Sequence, residues 1–175
     1  MQGKCAPLVK EAVLAASVRT GEKSGLSSIL SEKECSMTEE WGAILVVDDD
    51  AEMRELVHDV LKDRGHQITT AGSGQEALKL LAEQDHAVVL TDLRMKGMLG
   101  TELLAEIRRL YPDIGVIVMT GFGSVDTAVE AMKRGASDYL TKPVKNDELV
   151  RVVERSIREA ALRHEVNRLR REVHK

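Results

Sequence analysis

The stretch Ala43-Ile44-Leu45-Val46-Val47-Asp48-Asp49-Asp50 decides how this chain folds. An unbroken apolar run rich in β-branched residues suits a strand covered on both faces, the condition of a parallel sheet lying under helices. Carboxylates then fall where that strand ends. In open parallel α/β sheets, ligands bind beyond the carboxyl ends of the strands. Anions gathered there repel one another unless a cation joins them. A hard divalent metal with oxygen ligands answers that need, and Mg²⁺ fits a site with few carboxylates and a bound phosphate.

Outward from this strand, periods of two and of 3.6 alternate from residue 42 to about residue 160. Residues 51–64 place Met53, Leu56, Val57, Val60 and Leu61 on one helical face, and Gly65 stops that helix. His66 to Ala71 reads as a weaker strand. Ser73-Gly74-Gln75-Glu76 is a capping box ahead of the stripe Ala77, Leu80, Leu81. Ala87 to Leu90 is a buried strand, and Leu103, Leu104, Ile107 and Leu110 mark the next helix. Val116 to Met119 is a fourth strand. Ser124 caps a helix carrying Val125, Ala128, Val129 and Met132, which Gly135 ends. Tyr139-Leu140 sits in a short fifth strand, and Asn146 caps a last helix with Leu149, Val152, Val153 and Ile157. Five βα repeats predict a doubly wound sheet with right-handed crossovers.

The last helix is not stopped. Residues 158–175 hold neither Gly nor Pro, and Leu162, Val166, Leu169 and Val173 are spaced 4, 3, 4, an a/d-type seam. Two readings stand: a solvated helical tail, or a dimerising helix leading toward a further domain. At the other end, Val9 to Val18 suits a short helix, and Thr20 to Ser36 reads as a mobile linker. Met37 is expected to be the natural start, with residues 1–36 an upstream in-frame reading.

The chain has 175 residues, a formal charge of −4 and 2% aromatics. Neither a global affinity for nucleic acid nor a stacking platform for single strands is implied. The cysteines, Cys5 and Cys35, lie outside the expected core, which suits a reducing cytosol. No apolar run reaches the length of a transmembrane helix, and the start lacks the apolar stretch of a signal peptide. The five histidines (His58, His66, His86, His164, His174) show no metal-ligand spacing and read as surface or boundary residues.

The chemistry gathers at the strand ends. The first gives Asp48 and Asp49, the third Thr91-Asp92, the fourth Thr120 and the fifth Thr141-Lys142-Pro143. Three acids, a hydroxyl and an ammonium suit phosphoryl chemistry: a metal offsets the anionic charge, a carboxylate is the nucleophile, and hydroxyl and ammonium bind the new phosphoryl oxygens. Asp50, just before the first helical turn, reads as an N-cap rather than a ligand.

Val46-Val47-Asp48-Asp49, Leu90-Thr91-Asp92-Leu93-Arg94-Met95, Val118-Met119-Thr120-Gly121 and Asp138-Tyr139-Leu140-Thr141-Lys142-Pro143 occur in an order and spacing that resemble the receiver domain of two-component response regulators. The resemblance covers residues 42–157. It implies a flavodoxin-like, five-stranded parallel sheet of order 2-1-3-4-5 with an extended C-terminal helix. The layout it implies is a flexible extension over 1–40, a receiver over 41–158 and a helical or coiled-coil segment over 159–175. Asp92 would be the phosphoacceptor. Mg²⁺ would be held directly by Asp49, Asp92 and the main-chain carbonyl of Arg94, with Asp48 acting largely through water. Thr120 and Lys142 would bind the phosphoryl group, Lys142-Pro143 would be a cis peptide, and Tyr139 would be the aromatic switch that turns inward as Thr120 moves. The bulky Arg94 and Phe122 would flank the phosphoryl group and slow its hydrolysis.

The long helix, Asp92-Leu93-Arg94-Met95 and Met119-Thr120-Gly121 look like the nitrogen-regulatory subclass. There the implied partners are a sensor histidine kinase, a second copy paired through the C-terminal helix, and an AAA+ and DNA-binding output domain. This chain carries neither a P-loop nor a helix-turn-helix, which leaves a fragment or a stand-alone receiver. Lys96 stands where the family commonly has proline, Leu99 where it commonly has aspartate, and Val144 where it commonly has phenylalanine. A Mg²⁺-dependent aspartyl phosphohydrolase, using Asp48 and Asp50, and a phosphate-independent interaction module are the alternatives.

Overall fold

Ile44–Val47 forms β1, and all four of its side chains are fully buried. In the computed structural model, which describes residues 43–121 and 125–173, the elements that follow are α1 (Ala51–Lys62), β2 (Ile68–Ala71), α2 (Gly74–Glu83), β3 (Val88–Asp92), α3 (Gly100–Leu110), β4 (Gly115–Thr120), α4 (Val125–Lys133), β5 (Asp138–Thr141) and α5 (Asn146–Val173). Every neighbouring pair is parallel and the strand order is β2-β1-β3-β4-β5, the expected doubly wound, flavodoxin-like arrangement with an extended C-terminal helix.

The apolar runs work because successive residues face opposite sides of the sheet. Leu45, Val47, Val89, Val116 and Val118 meet Ala77 and Leu81 of α2 and Leu103, Leu104 and Ile107 of α3. Ile44, Val46, Val88, Leu90, Ile117 and Met119 meet Val57 and Leu61 of α1 and Leu149, Val152 and Val153 of α5. Each such side chain taken from water contributes roughly 1.5–3 kcal/mol, so both faces hold the sheet.

Caps fix where the first helices begin. The Asp50 carboxylate accepts from the Glu52 N–H at 3.0 Å, which makes it the N-cap of α1 as expected. Ser73 Oγ accepts from the Glu76 N–H at 3.2 Å, while the Glu76 carboxylate reaches back to the Gly72 N–H at 2.7 Å.

Some expectations need correction. Leu56, Leu110, Val129 and Met132 are exposed although they belong to helical apolar stripes. His86 is buried rather than at a boundary. Asn146 is the first helical residue rather than the cap; the carbonyl one step earlier, at Lys145, accepts from the Leu149 N–H. β3 runs through Asp92 and β4 through Thr120, so both belong to the ladder itself. Ser124, Phe122 and residues 1–42 lie outside the described residues. No described helix is long and apolar enough to cross a membrane.

β1 connects onward to β2 on one side, yet pairs with β3 on the other. That reversal opens a crevice at the carboxyl ends of β1 and β3, where a doubly wound sheet takes its ligands.

Candidate functional site

Strand register sets the site. Val47 is level with Thr91, so Asp48 and Asp92 are the next residues along two adjacent strands. Thr120 ends β4 beside Thr141 of β5, and Lys142 follows directly. The Lys142 N–H donates to the Thr120 carbonyl at 2.8 Å, which carries the ladder one residue beyond the strand.

Lys142 joins the acids. Its Nζ lies 2.8 Å from Asp48 Oδ2 and 3.3 Å from Asp92 Oδ2. Asp48 is fully buried, and its Oδ1 accepts the Asp50 N–H at 2.9 Å. Below it, Arg54 Nη1 donates to the Asp48 carbonyl oxygen at 2.5 Å. A buried carboxylate demands such company, because an isolated one would lose its hydration for nothing. Asp92 is nearly buried. Burial pushes its carboxyl above the usual range; the Lys142 charge opposes this and the Asp48 charge adds to it. Lys142 responds to the same surroundings: burial alone would lower its ammonium, but the bond and charge of Asp48, then the charge of Asp92, carry it above the ordinary lysine value.

Asp49 completes the acidic set from the rim. It is exposed, and the Lys96 N–H donates to its Oδ2 at 3.3 Å. Asp48, Asp49 and Asp92 each bring one carboxylate oxygen to within 4.8 Å of the others. Three carboxylates against one ammonium leave a local excess of two negative charges, and every donor is a hard oxygen. That set fits Mg²⁺ in charge and in ligand type.

The other expected residues fall around this cluster. Thr120 is buried at the end of β4. Arg94 is exposed, and its backbone N–H bonds to the Asp92 carboxylate. The Lys142–Pro143 peptide is cis. Tyr139 is on β5 and is 42% exposed.

Three further residues support the site, Thr91 from within a motif and the other two with none to announce them. Thr91 Oγ1 donates to the Asp92 carbonyl at 3.1 Å. Gly100 opens α3 directly against the acceptor strand: a Cβ there would meet the Asp92 carbonyl oxygen at 2.1 Å, which no side chain tolerates. Lys96 holds Asp49 through main chain alone, so no side-chain pattern marks it. The glycine at the first turn of a helix was the one available signal.

A family model for the response regulator receiver domain matches residues 44–154. The chain is 43% identical over 112 residues to the response regulator protein FleR of Pseudomonas aeruginosa, covering 64% of this chain and 24% of that protein. It is 43% identical over 116 residues to the DNA-binding transcriptional regulator NtrC of Escherichia coli, covering 66% and 25%. It thus spans about a quarter of the length of these curated relatives. Among solved structures, a response regulator receiver domain protein from Clostridium thermocellum superposes with a TM-score of 0.66 at 35% identity, over 69% of this chain and 98% of that one.

Proposed function

We propose that this chain, which belongs to the response regulator receiver family, takes a phosphoryl group onto Asp92 from a phosphohistidine of a partner sensor kinase. The observation that carries this reading is the bridging of Asp48 and Asp92 by Lys142 beside the exposed Asp49. An ammonium already seated on the acceptor carboxylate is poised to pair with the charge that arrives.

Asp49, Asp92 and the Arg94 carbonyl would hold Mg²⁺, with Asp48 acting largely through water. When bound, the metal supplies charge neutralisation for the carboxylates and for the phosphoryl oxygens. An Asp92 oxygen attacks phosphorus in line; the new O–P bond forms as the P–N bond breaks, and the imidazole leaves with the electron pair. Lys142 keeps its contact to Asp48 and turns its other contact from Asp92 to a phosphoryl oxygen. The Thr120 hydroxyl donates to a second oxygen. Movement of Thr120 frees space into which Tyr139, now exposed, turns; the pair acts as a two-state element biased by one phosphate.

The face altered by that turn comprises α4, β5 and α5, and it controls pairing with a second copy or with an AAA+ and DNA-binding output domain of the nitrogen-regulatory kind. The protein then acts once per phosphate in the cytosol and turns over no independent substrate. The hydrolase alternative needs Asp50 as a second acid, but the Asp50 carboxylate is occupied as the α1 cap.

Intact mass after incubation with Mg²⁺ and acetyl phosphate tests the reading. One added phosphoryl group is expected, dependent on Mg²⁺ and absent from Asp92→Ala. No adduct on folded protein, with the donor intact, would leave an interaction module. Steady consumption of the donor without any adduct, even at the earliest times, would favour the hydrolase.

A further inference from the structure

The three acids are not equally fixed. Asp48 is held by Lys142 and by the Asp50 N–H, and Asp92 by Lys142 and the Arg94 N–H. Asp49 alone is exposed. A free aspartate side chain chooses among rotamers, and Mg²⁺, which demands near-ideal octahedral geometry, loses affinity for each ligand it must first order. The contact that orders Asp49 comes from 47 positions away, through the Lys96 main chain.

The loop between β3 and α3 explains why that N–H points inward. It leaves from Asp92 and returns to it: the Gly100 N–H donates to the Leu93 carbonyl at 3.0 Å, and only a hydrogen on Gly100 lets the helix start against the Asp92 carbonyl. Lys96 is the midpoint. Gly97 follows with a φ of 89°, a left-handed backbone that favours glycine. The loop is therefore anchored at both ends on the phosphoacceptor and touches the metal pocket at its apex.

We propose that Lys96 is a positioning residue of the metal pocket: its backbone N–H aims Asp49 at the divalent cation, so that metal affinity depends on the shape of the β3–α3 loop. The proposal rests on reading the pocket as a Mg²⁺ site. It assigns the role to the main chain, because the contact to Asp49 runs through the backbone N–H of an exposed residue. A proline at this position, as the family commonly has, would lack the donor altogether.

Titration of the full chain with Mn²⁺, read by electron paramagnetic resonance, separates the possibilities. Lys96→Ala keeps the N–H and is expected to bind like the wild type. Lys96→Pro removes it and is expected to bind about fivefold more weakly, the scale of one net hydrogen bond. Equal or tighter binding by Lys96→Pro overturns the proposal, and so does equal weakening by Lys96→Ala, which would put the effect in the ammonium. If the wild type binds no Mn²⁺, the Mg²⁺ reading falls as well. A second readout needs no proline and no metal: the Lys96 amide proton resonance is expected to move upfield in Asp49→Ala, and an unmoved resonance overturns the clamp.

Discussion

His86 is buried just ahead of β3, where the sequence suggests a boundary residue. Its Nδ1 lies 3.0 Å from the Gln84 carbonyl oxygen. A carbonyl only accepts, so Nδ1 carries the proton of the neutral ring. Nε2 is buried without a hydrogen-bond partner, and a second proton there would have nothing to receive it. Burial accordingly pushes His86 below the usual histidine value of 6.5, although the Gln84 carbonyl and Asp85 pull it upward. The unfolded chain then binds that proton at a higher pH than the folded one. The stability this residue contributes is complete above its unfolded value and is lost as pH falls from there toward the folded value. His66 is lowered by burial in the same direction and adds to the effect. Chemical denaturation between about pH 7.5 and about pH 5.5 checks this. His86→Leu should cost about 1 kcal/mol at the upper pH for its lost hydrogen bond, yet lose less stability than the wild type on acidification. Equal losses would show that His86 is not the group that titrates.

At the scale of elements, the start of α3, beside the site, lacks a side-chain cap. Leu99 holds the N-cap position and its side chain has no acceptor to offer the first turn, although its carbonyl accepts from the Glu102 N–H at 3.0 Å. Only half of a capping box remains, the Glu102 carboxylate accepting from the Leu99 N–H at 2.9 Å. Asp50 and Ser73 do cap α1 and α2 with side-chain oxygens. Because Leu99 is exposed, little packing is lost with it. Leu99→Asp should therefore add about 1 kcal/mol and raise the unfolding temperature by roughly 3 °C; thermal unfolding without such a rise would mean that a side-chain acceptor adds nothing to the main-chain bonds that the Gly100 and Glu102 N–H groups already make. Elements were legible where one physical rule dominates. β1, β3 and β4 are buried on both faces, so their apolar runs are unbroken, and they differ from expectation only at their ends: Ala43 and Ala87 fall outside, while Thr91, Asp92, Gly115 and Thr120 join the ladder. Helix stripes give an angular position but not the width of the cover, and so Leu56, Leu110, Val129 and Met132 emerge on exposed edges. The acids were legible because a strand end locates them. A strand end locates Lys142 in the same way, but the Arg54 contact under Asp48 and the Lys96 contact to Asp49 were not legible, because each depends on how a loop or helix returns across the sheet.

For the whole molecule, the decisive feature is the second face of α5. One face stays on the body: Ala160 is fully buried, and Asn167 Nδ2 donates to Asp113 Oδ1. At about 100° per residue, Leu169 lies about 180° around the helix from Ala160. Leu162, Val166, Leu169 and Val173, exposed by 67, 45, 47 and 82%, thus form a stripe away from the body that nothing in the described chain covers. Their 4, 3, 4 spacing places Leu162 and Leu169 at d and Val166 and Val173 at a, the pattern that favours two strands when the helices run parallel. In that arrangement Glu165 at g faces the partner's Arg170 at e. Its present bond to Arg168 is on the surface, so exchanging partners changes little. Fewer than three heptads make a weak seam, so pairing should appear as a concentration-dependent dimer in sedimentation velocity. Leu162→Glu combined with Leu169→Glu should abolish it and leave thermal stability of the monomer within about 0.5 kcal/mol, because both side chains are already exposed. A dimer that survives the double substitution would move the interface to the exposed face of Val129, Met132 and Tyr139. That face borders the proposed switch. Phosphorylation would then act on the interface directly, whereas a seam on α5 feels it only through the helix's footing on the sheet.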